Sequence, residues 1–302
     1  MSMLIINADD FGLCSGVNRA VVEAHAQGVL SSASLMVNME GFDEAVRLGK
    51  LQPGLDLGIH VTLAAGRPLC SPRNVPSLVD EEGRFLRRSV LLSRILRRQI
   101  ELADLEREIH AQVDKFVASG LRAAHINGDQ HVHIFPGVRD IIVKVASDLG
   151  VAVRIPAEKI FWRGKDIRAL PAGATKLPMK ISLKFLSRSL RQICQAHQLH
   201  TNDDFISLFG FFPRRPPCGS DLIRLLDSAG DGVTELMVHP AFVDDSLVRF
   251  WGGRNDWALD REREFEALVS NQFRNALRQK GILLGGYSAL LRSPAPDLDN
   301  RA

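Results

Sequence analysis

Asn7-Ala8-Asp9-Asp10-Phe11-Gly12 follows directly on the apolar run Met3-Leu4-Ile5-Ile6. A short, continuous apolar run is the pattern of a strand buried on both faces. Gly12 breaks that pattern, and apolar residues at helical spacing begin after Ser15. Two adjacent carboxylates therefore stand at the C-terminal end of a first strand. In parallel α/β folds that end collects ligands and catalytic groups. Neighbouring strand residues point to opposite faces, so Asp9 and Asp10 can take different jobs only where the strand is ending. The plain alternative is a turn in which an aspartate caps the next helix.

The same unit recurs along the chain. Strand-like runs at 34–38, 57–63, 124–128, 151–156, 205–208, 235–239 and 282–284 alternate with helical patterns at 17–27, 43–51, 84–119, 137–149, 221–228 and 262–279. Such alternation implies a mostly parallel sheet. About seven units favour a closed or nearly closed barrel over an open sheet. The expected fold is α/β, a distorted (β/α) barrel of the TIM-barrel type, in one catalytic domain over residues 1–292. Segments near 72–100 and 157–199 fall outside the alternation and read as insertions. Residues 293–302, rich in Pro and Asp, read as a frayed tail.

Of the 302 residues, 45% are hydrophobic and 24% charged, the balance of a globular protein with a large core. A net charge of +3 gives no argument for nucleic acid. Cys14, Cys70, Cys194 and Cys218 form no CxxC pair, which argues against a zinc knuckle or a disulfide framework. Residues 3–6 are too few for a signal segment or a membrane span, so the expected location is cytoplasmic. Nothing here sets the oligomeric state. Locally the charge is less even. Arg84, Arg87, Arg88, Arg94, Arg97 and Arg98 interleave with Phe85, Leu86, Val90, Leu91, Leu92, Ile95 and Leu96, and a second basic and apolar stretch runs over 159–191. A basic amphipathic helix can lie on an anionic membrane surface, here the inner face; the ordinary alternative is a surface helix packed on the barrel.

The polar residues that carry chemistry all close apolar strands. Asp9 and Asp10 close the first, and His60 lies in the third. His125, Asn127, Asp129, His131 and His133 crowd the end of the fourth, Arg154 closes the fifth and His239 a later one. In a barrel these ends converge on one face. Asp and His suit a borderline divalent metal with a position left for water, so Asp10, His60 and one residue of the 125–133 cluster make a natural three-ligand set. Three histidines and an aspartate within nine residues are hard to explain by packing. Asn127 and His133 of this cluster are candidate substrate contacts. Arg154 beside Asp9 can hold that carboxylate ionised.

Together, Asn7-Ala8-Asp9-Asp10-Phe11-Gly12, Gly58-Ile59-His60-Val61-Thr62-Leu63, the stretch from His125 to His133, and Glu235-Leu236-Met237-Val238-His239-Pro240 resemble the YdjC/ChbG-like carbohydrate deacetylases, distant relatives of the NodB-type polysaccharide deacetylases. The resemblance implies a distorted barrel, a divalent metal (zinc or magnesium) and hydrolysis of an N-acetyl group from an amino sugar. It implies Asp10 and His60 as metal ligands, Asp9 as general base and a protonated His239 as general acid. The family's third ligand is usually a histidine at the position of Asp129, so either Asp129 or His131 completes the set here. A narrower likeness to the hopanoid-associated HpnK branch implies an N-acetylglucosaminyl hopanoid lipid as substrate. The rival readings are a glycoside hydrolase, which leaves the histidines without a role, and a non-catalytic sugar- or lipid-binding barrel.

Overall fold

Apolar strand runs bounded by glycine and polar turns assemble here into one parallel sheet. The computed structural model describes residues 2–158, 177–208, 219–250, 252 and 255–292. The strands are β1 (Met3–Phe11), β2 (Ser32–Leu35), β3 (Asp56–Val61), β4 (Ala123–Gly128), β5 (Ala152–Val153), β6 (Asp204–Ser207), β7 (Val233–Val238) and β8 (Leu283–Leu284). The main path runs β5-β4-β3-β2-β1-β7-β6, every pair parallel, while β8 pairs the first residues of β1, below the start of the β1–β2 ladder. The two ends of the path are joined by the single bridges Val153–Thr201 and Glu158–Phe205. Asn202 reinforces the join, its side chain accepting from Ile155 N and donating to Ile155 O. The sheet thus curls into a distorted barrel whose seam is held by bridges and one asparagine rather than by a continuous ladder.

Helices cover the outside: α1 (Ser15–Ala26), α2 (Phe42–Lys50), α3 (Arg88–Leu96), α4 (Leu102–Ala118), α5 (Val138–Leu149), α6 (Leu177–Ala196), α7 (Gly219–Leu226), α8 (Asp245–Phe250), α9 (Asn255–Val269), α10 (Asn271–Gln279) and α11 (Tyr287–Leu291). Several departures from the sequence pattern have local causes. β5 is two residues long because, past Arg154, whose N–H still reaches the Ile126 carbonyl of β4, the chain bonds to Asn202 instead of continuing its ladder. The helix expected over 262–279 is two helices, broken where the Ser270 hydroxyl caps α10 by accepting from Phe273 N. The helical stretch after residue 84 is likewise split at Arg98, which sits at φ +57°. Within the segment near 72–100, Phe85, Leu86 and Leu91 are buried and Arg88 lies over the Phe135 ring at 5.6 Å. Much of that segment's apolar content therefore packs inward, leaving Val90 and Leu96 exposed. The segment expected as a second insertion includes α6, which leads into β6. Residues 159–176 of that segment and the tail 293–302 lie outside the described residues. Among the described residues no helix is long and apolar enough to cross a membrane.

The barrel interior is unusual in being polar through its middle. Asn7, Asp9, Ser34, His125, Asn127, Arg154, Glu235 and Tyr287 are all buried there. Tight approach accompanies this layer. The His125 ring lies against the Cα of Gly58 on β3, where a β-carbon would fall 2.2 Å from its Cε1. Overpacking typically costs about 1–3 kcal/mol. Gly58→Ala is therefore expected to destabilise the fold by about that amount in a denaturant titration, and by distinctly less when His125→Ala has already removed the ring. Equal costs in the two backgrounds would show that the ring does not set the constraint.

Candidate active site

The C-terminal ends of β1, β3, β4, β5 and β7 bring Asp9, Asp10, His60, Asp129, Arg154 and His239 to one mouth of the barrel, all of them buried. β1 runs on through both aspartates to Phe11. Asp10 adopts φ +67°, and the β1–β2 register slips between Ala8 and Phe11. A left-handed residue breaks the two-fold alternation of a strand, so both carboxylates turn toward the same interior. For a non-glycine residue this conformation costs about 1–2 kcal/mol.

Arg154, fully buried just past β5, grips Asp9 with two bonds of 2.7 Å, Nη1 to Oδ2 and Nη2 to Oδ1. Its Nε and Nη2 reach Glu235 of β7, whose Oε2 also accepts the Tyr287 hydroxyl. Burial alone would raise the Asp9 carboxyl, but the guanidinium holds it well below the usual carboxylate range. Asp9 Oδ1 additionally accepts from Asn7 Nδ2 at 2.9 Å, so Oδ2 is the oxygen with an acceptor position to spare.

Asp10 has a different set of partners. Its Oδ1 is 3.6 Å from His60 Nε2, and its Oδ2 is 2.8 Å from Arg261 of α9. Against the effect of burial, Arg261 and His60 keep Asp10 ionised, well below the usual carboxylate range. His60 Nδ1 donates to Asn127 Oδ1 at 2.5 Å, which leaves Nε2 as the atom presented to the site. Burial opposes charge on His60, but Asp9 and Asp10 outweigh it and lift the imidazole to about 9. A cation seated there would take the place of that proton.

Ligand atoms of Asp10, His60 and Asp129 lie within 4.8 Å of one another, a grouping able to hold a metal ion. Two carboxylates and an imidazole suit a divalent cation. Burial and the Asp10 charge push Asp129 up to about 6, a repulsion that a cation would relieve. Gln130 and His131 are both left-handed, at φ +48° and +61°. This turn delivers Asp129 to the group, while the His131 ring lies edge-on to Phe205 at 5.5 Å. Asn127 and His133, expected to touch substrate, are fully buried with their polar atoms turned inward: Asn127 serves His60 and Ser34, and His133 Nε2 meets the Arg154 carbonyl at 3.2 Å. They support the site from behind.

His239, expected to be protonated, is held neutral: burial and Arg261 push it down to about 4. Its backbone N–H bonds the Glu264 carboxyl, itself raised to about 8, chiefly by burial. Arg261 and Glu264 escaped the sequence reading because they sit in the charged run Asp260-Arg261-Glu262-Arg263-Glu264, which looks like a solvated helix face. Glu235 and Tyr287 left fainter signals, an acid inside an apolar strand and the single tyrosine of the chain.

Removing one partner of a buried ion pair costs about 3–5 kcal/mol because the other charge is left uncompensated. Arg154→Met, which strands both Asp9 and Glu235, is expected to lose at least that much in urea unfolding. Arg154→Lys is expected to recover little of it, since one ammonium cannot serve two carboxylates in the forked geometry of a guanidinium. A loss below about 1 kcal/mol for Arg154→Met would mean that the carboxylates find other partners.

The family described as YdjC-like protein matches residues 3–279. A protein of Brevibacillus brevis named carbohydrate deacetylase is 34% identical over 289 residues, covering 95% of this chain and 99% of that one. One of the same name from Thermoanaerobacter pseudethanolicus is 33% identical over 296 residues, covering 96% and 100%. A crystal structure from Enterococcus faecalis V583, provisionally described as a cellobiose-phosphate cleavage protein, superposes with a TM-score of 0.74 at 26% identity and covers 96% of this chain and 98% of its own. The motifs at the strand ends and the match along nearly the whole chain agree, and the chain belongs to the YdjC-like protein family.

Proposed function

We propose that this protein is a metal-dependent carbohydrate N-deacetylase, which hydrolyses the acetamide of an N-acetylated amino sugar to acetate and a free amine. The observation that carries the reading is the convergence of an arginine-clamped Asp9 with the Asp10–His60–Asp129 group at one buried mouth. The names of the relatives support the reaction class. A divalent ion, zinc or magnesium, held by Asp10, His60 and Asp129 would supply Lewis-acid charge, acidifying a water and offsetting the charge that grows on the acetyl oxygen.

The chain's own residues do the rest. Asp9 accepts the proton of the attacking water at Oδ2, the oxygen left with a spare lone pair. Arg154 fixes the plane of that carboxylate and keeps it ionised until the proton arrives. His239 is neutral at rest, so the proton it hands to the leaving nitrogen is one acquired within the catalytic cycle. Asn127 locks the His60 tautomer, the task a carbonyl or carboxylate performs behind many metal-bound histidines. The narrower substrate we infer is an N-acetylglucosaminyl hopanoid lipid on the cytoplasmic face of an anionic membrane. Arg87, Arg97 and Arg98, exposed beside α3, and the exposed Val90 and Leu96 of that helix would face that membrane.

The test is acetate release from a panel of soluble and lipid-linked N-acetylated glycosides, with and without chelator. Chelation is expected to abolish release and added metal to restore it. Asp10→Ala and His60→Ala should lose both activity and metal, whereas Asp9→Asn and His239→Ala should keep metal and lose about 10²–10⁴-fold in turnover, the usual worth of a general acid or base. Full activity in chelator, or in either ligand variant, would overturn the assignment. Asp129→His is expected to shift preference from magnesium toward zinc, because imidazole favours the softer ion. Unchanged selectivity would exclude Asp129 as a ligand.

A further inference from the structure

Ser34 lies fully buried on β2, between β1 and β3. Three side chains converge on its hydroxyl oxygen: Asn7 Nδ2 at 2.9 Å, Asn127 Nδ2 at 2.7 Å and His125 Nε2 at 3.0 Å. Counting donors fixes the direction of each bond. Asn7 must present its amide nitrogen here, because the other proton of that nitrogen goes to Asp9, and a carboxylate only accepts. Asn127 gives its carbonyl oxygen to His60 Nδ1 and so has its NH₂ left for Ser34. Two N–H donors fill both lone pairs of the Ser34 oxygen. Its own proton is then donated along the third contact, to His125 Nε2. That requires a neutral His125 with its proton on Nδ1. The ring is held in place against Gly58 and stacked on Tyr287 with centroids 4.2 Å apart, and its Nδ1 meets no hydrogen-bond partner among the described residues.

We propose that Ser34 is a positioning residue whose single hydroxyl orients the Asp9 carboxylate and the His60 imidazole together, through Asn7 on one side and Asn127 on the other. The proposal rests on the reading of His60 as a metal ligand and Asp9 as the base. Its physical content is coupling. The oxygen can satisfy both amides only while its proton points at His125, so loss of that one bond frees the group that aims the base and the group that aims the ligand.

Three measurements test it. Nitrogen-15 NMR of the metal-free wild-type protein should show His125 neutral and protonated at Nδ1. Calorimetric titration with zinc and steady-state acetate release should then be compared for Ser34→Ala and Ser32→Ala. The control removes the same atom two residues away on the same strand, where the buried hydroxyl has no hydrogen-bond partner among the described residues. Ser34→Ala is expected to weaken zinc binding and lower kcat by about 10–100-fold each, the usual effect of losing a residue behind a metal ligand. KM should change much less, and the His125 tautomer should become mixed. Ser32→Ala should leave all of these close to wild type. In kcat, Ser34→Ala and Asn7→Ala should be strongly non-additive, since they break one chain of bonds. A wild-type His125 protonated at Nε2 overturns the proposal, as does a Ser34→Ala protein that matches Ser32→Ala in zinc affinity and kcat. Absence of zinc binding by the wild type overturns it together with the proposed function. Zinc binding that weakens in Ser34→Ala, in a wild type that releases no acetate, would instead retain the positioning role and refute the deacetylase reading. Should Ser34→Ala fail to fold, the wild-type tautomer still decides, and Ser34→Cys, with its weak sulfur donor and acceptor, supplies the zinc comparison.

Discussion

The interaction on which the rest depends is the buried clamp of Arg154 on Asp9 and Glu235. A guanidinium taken fully out of water is tolerable only if its N–H groups and its charge are matched. Two carboxylates on neighbouring strands, β1 and β7, do this from one side of the barrel. Arg154 itself comes from the far end of the sheet path, next to the seam. The clamp therefore ties the strand at one end of the sheet path to β1 and β7 toward the other end. Where most barrels of this type fill their interior with branched aliphatic layers, this one spends a layer on ion pairs and hydrogen bonds. The return is an Asp9 carboxylate whose plane and charge are fixed by the fold itself.

Backbone conformation completes what the charges begin. Asp10, Gln130 and His131 all occupy the left-handed region, and each lies at or beside the group able to hold a metal. Such conformations persist where the surroundings over-determine them, and they cluster at functional sites. At Asp10 the surroundings are Arg261 and His60, at opposite oxygens of the same carboxylate. At the 129–134 turn, the buried Val132, His133 and Ile134 pin the chain and leave Asp129 directed at the site.

Much of this was legible from residue order, for a physical reason. Strand ends of a parallel barrel share one face, so a polar residue closing an apolar run is already a coordinate in space. Asp9, Asp10, His60, Asp129 and Arg154 follow that rule, and so does His239. The rule reports position along a strand but not the direction of a side chain in a turn, so the sequence leaves Asp129 and His131 as alternatives; the turn with two left-handed residues brings Asp129 beside Asp10 and His60 and sets the His131 ring against Phe205. It is also blind to helices. Arg261 reaches Asp10 from α9, where it is one charge among many. Ser34 looks like an ordinary small polar residue of a strand and Asn127 reads as a substrate contact, whereas the bonds they share emerge only from the count of donors around one oxygen. The downward push on His239 was not legible either, because a histidine at a strand end carries no sign of the arginine beside it.

Charge balance links these parts. Asp9, Asp10 and Asp129 at the mouth and Glu235 in the clamp set four carboxylates against the two permanent cations Arg154 and Arg261, so these groups sum to two negative charges when all four acids are ionised. The site relieves this deficit in the only ways a buried site can, with protons. His60 is pushed toward its charged form and Asp129 toward its neutral form, both by their neighbours. These protons sit on the very atoms that group as candidate ligands. A dication would displace them and satisfy both residues at once, whereas a monovalent ion would leave part of the repulsion in place. Without Arg261 the mouth would hold a larger negative charge. With it, Asp10 keeps one oxygen for the arginine and offers the other to the site.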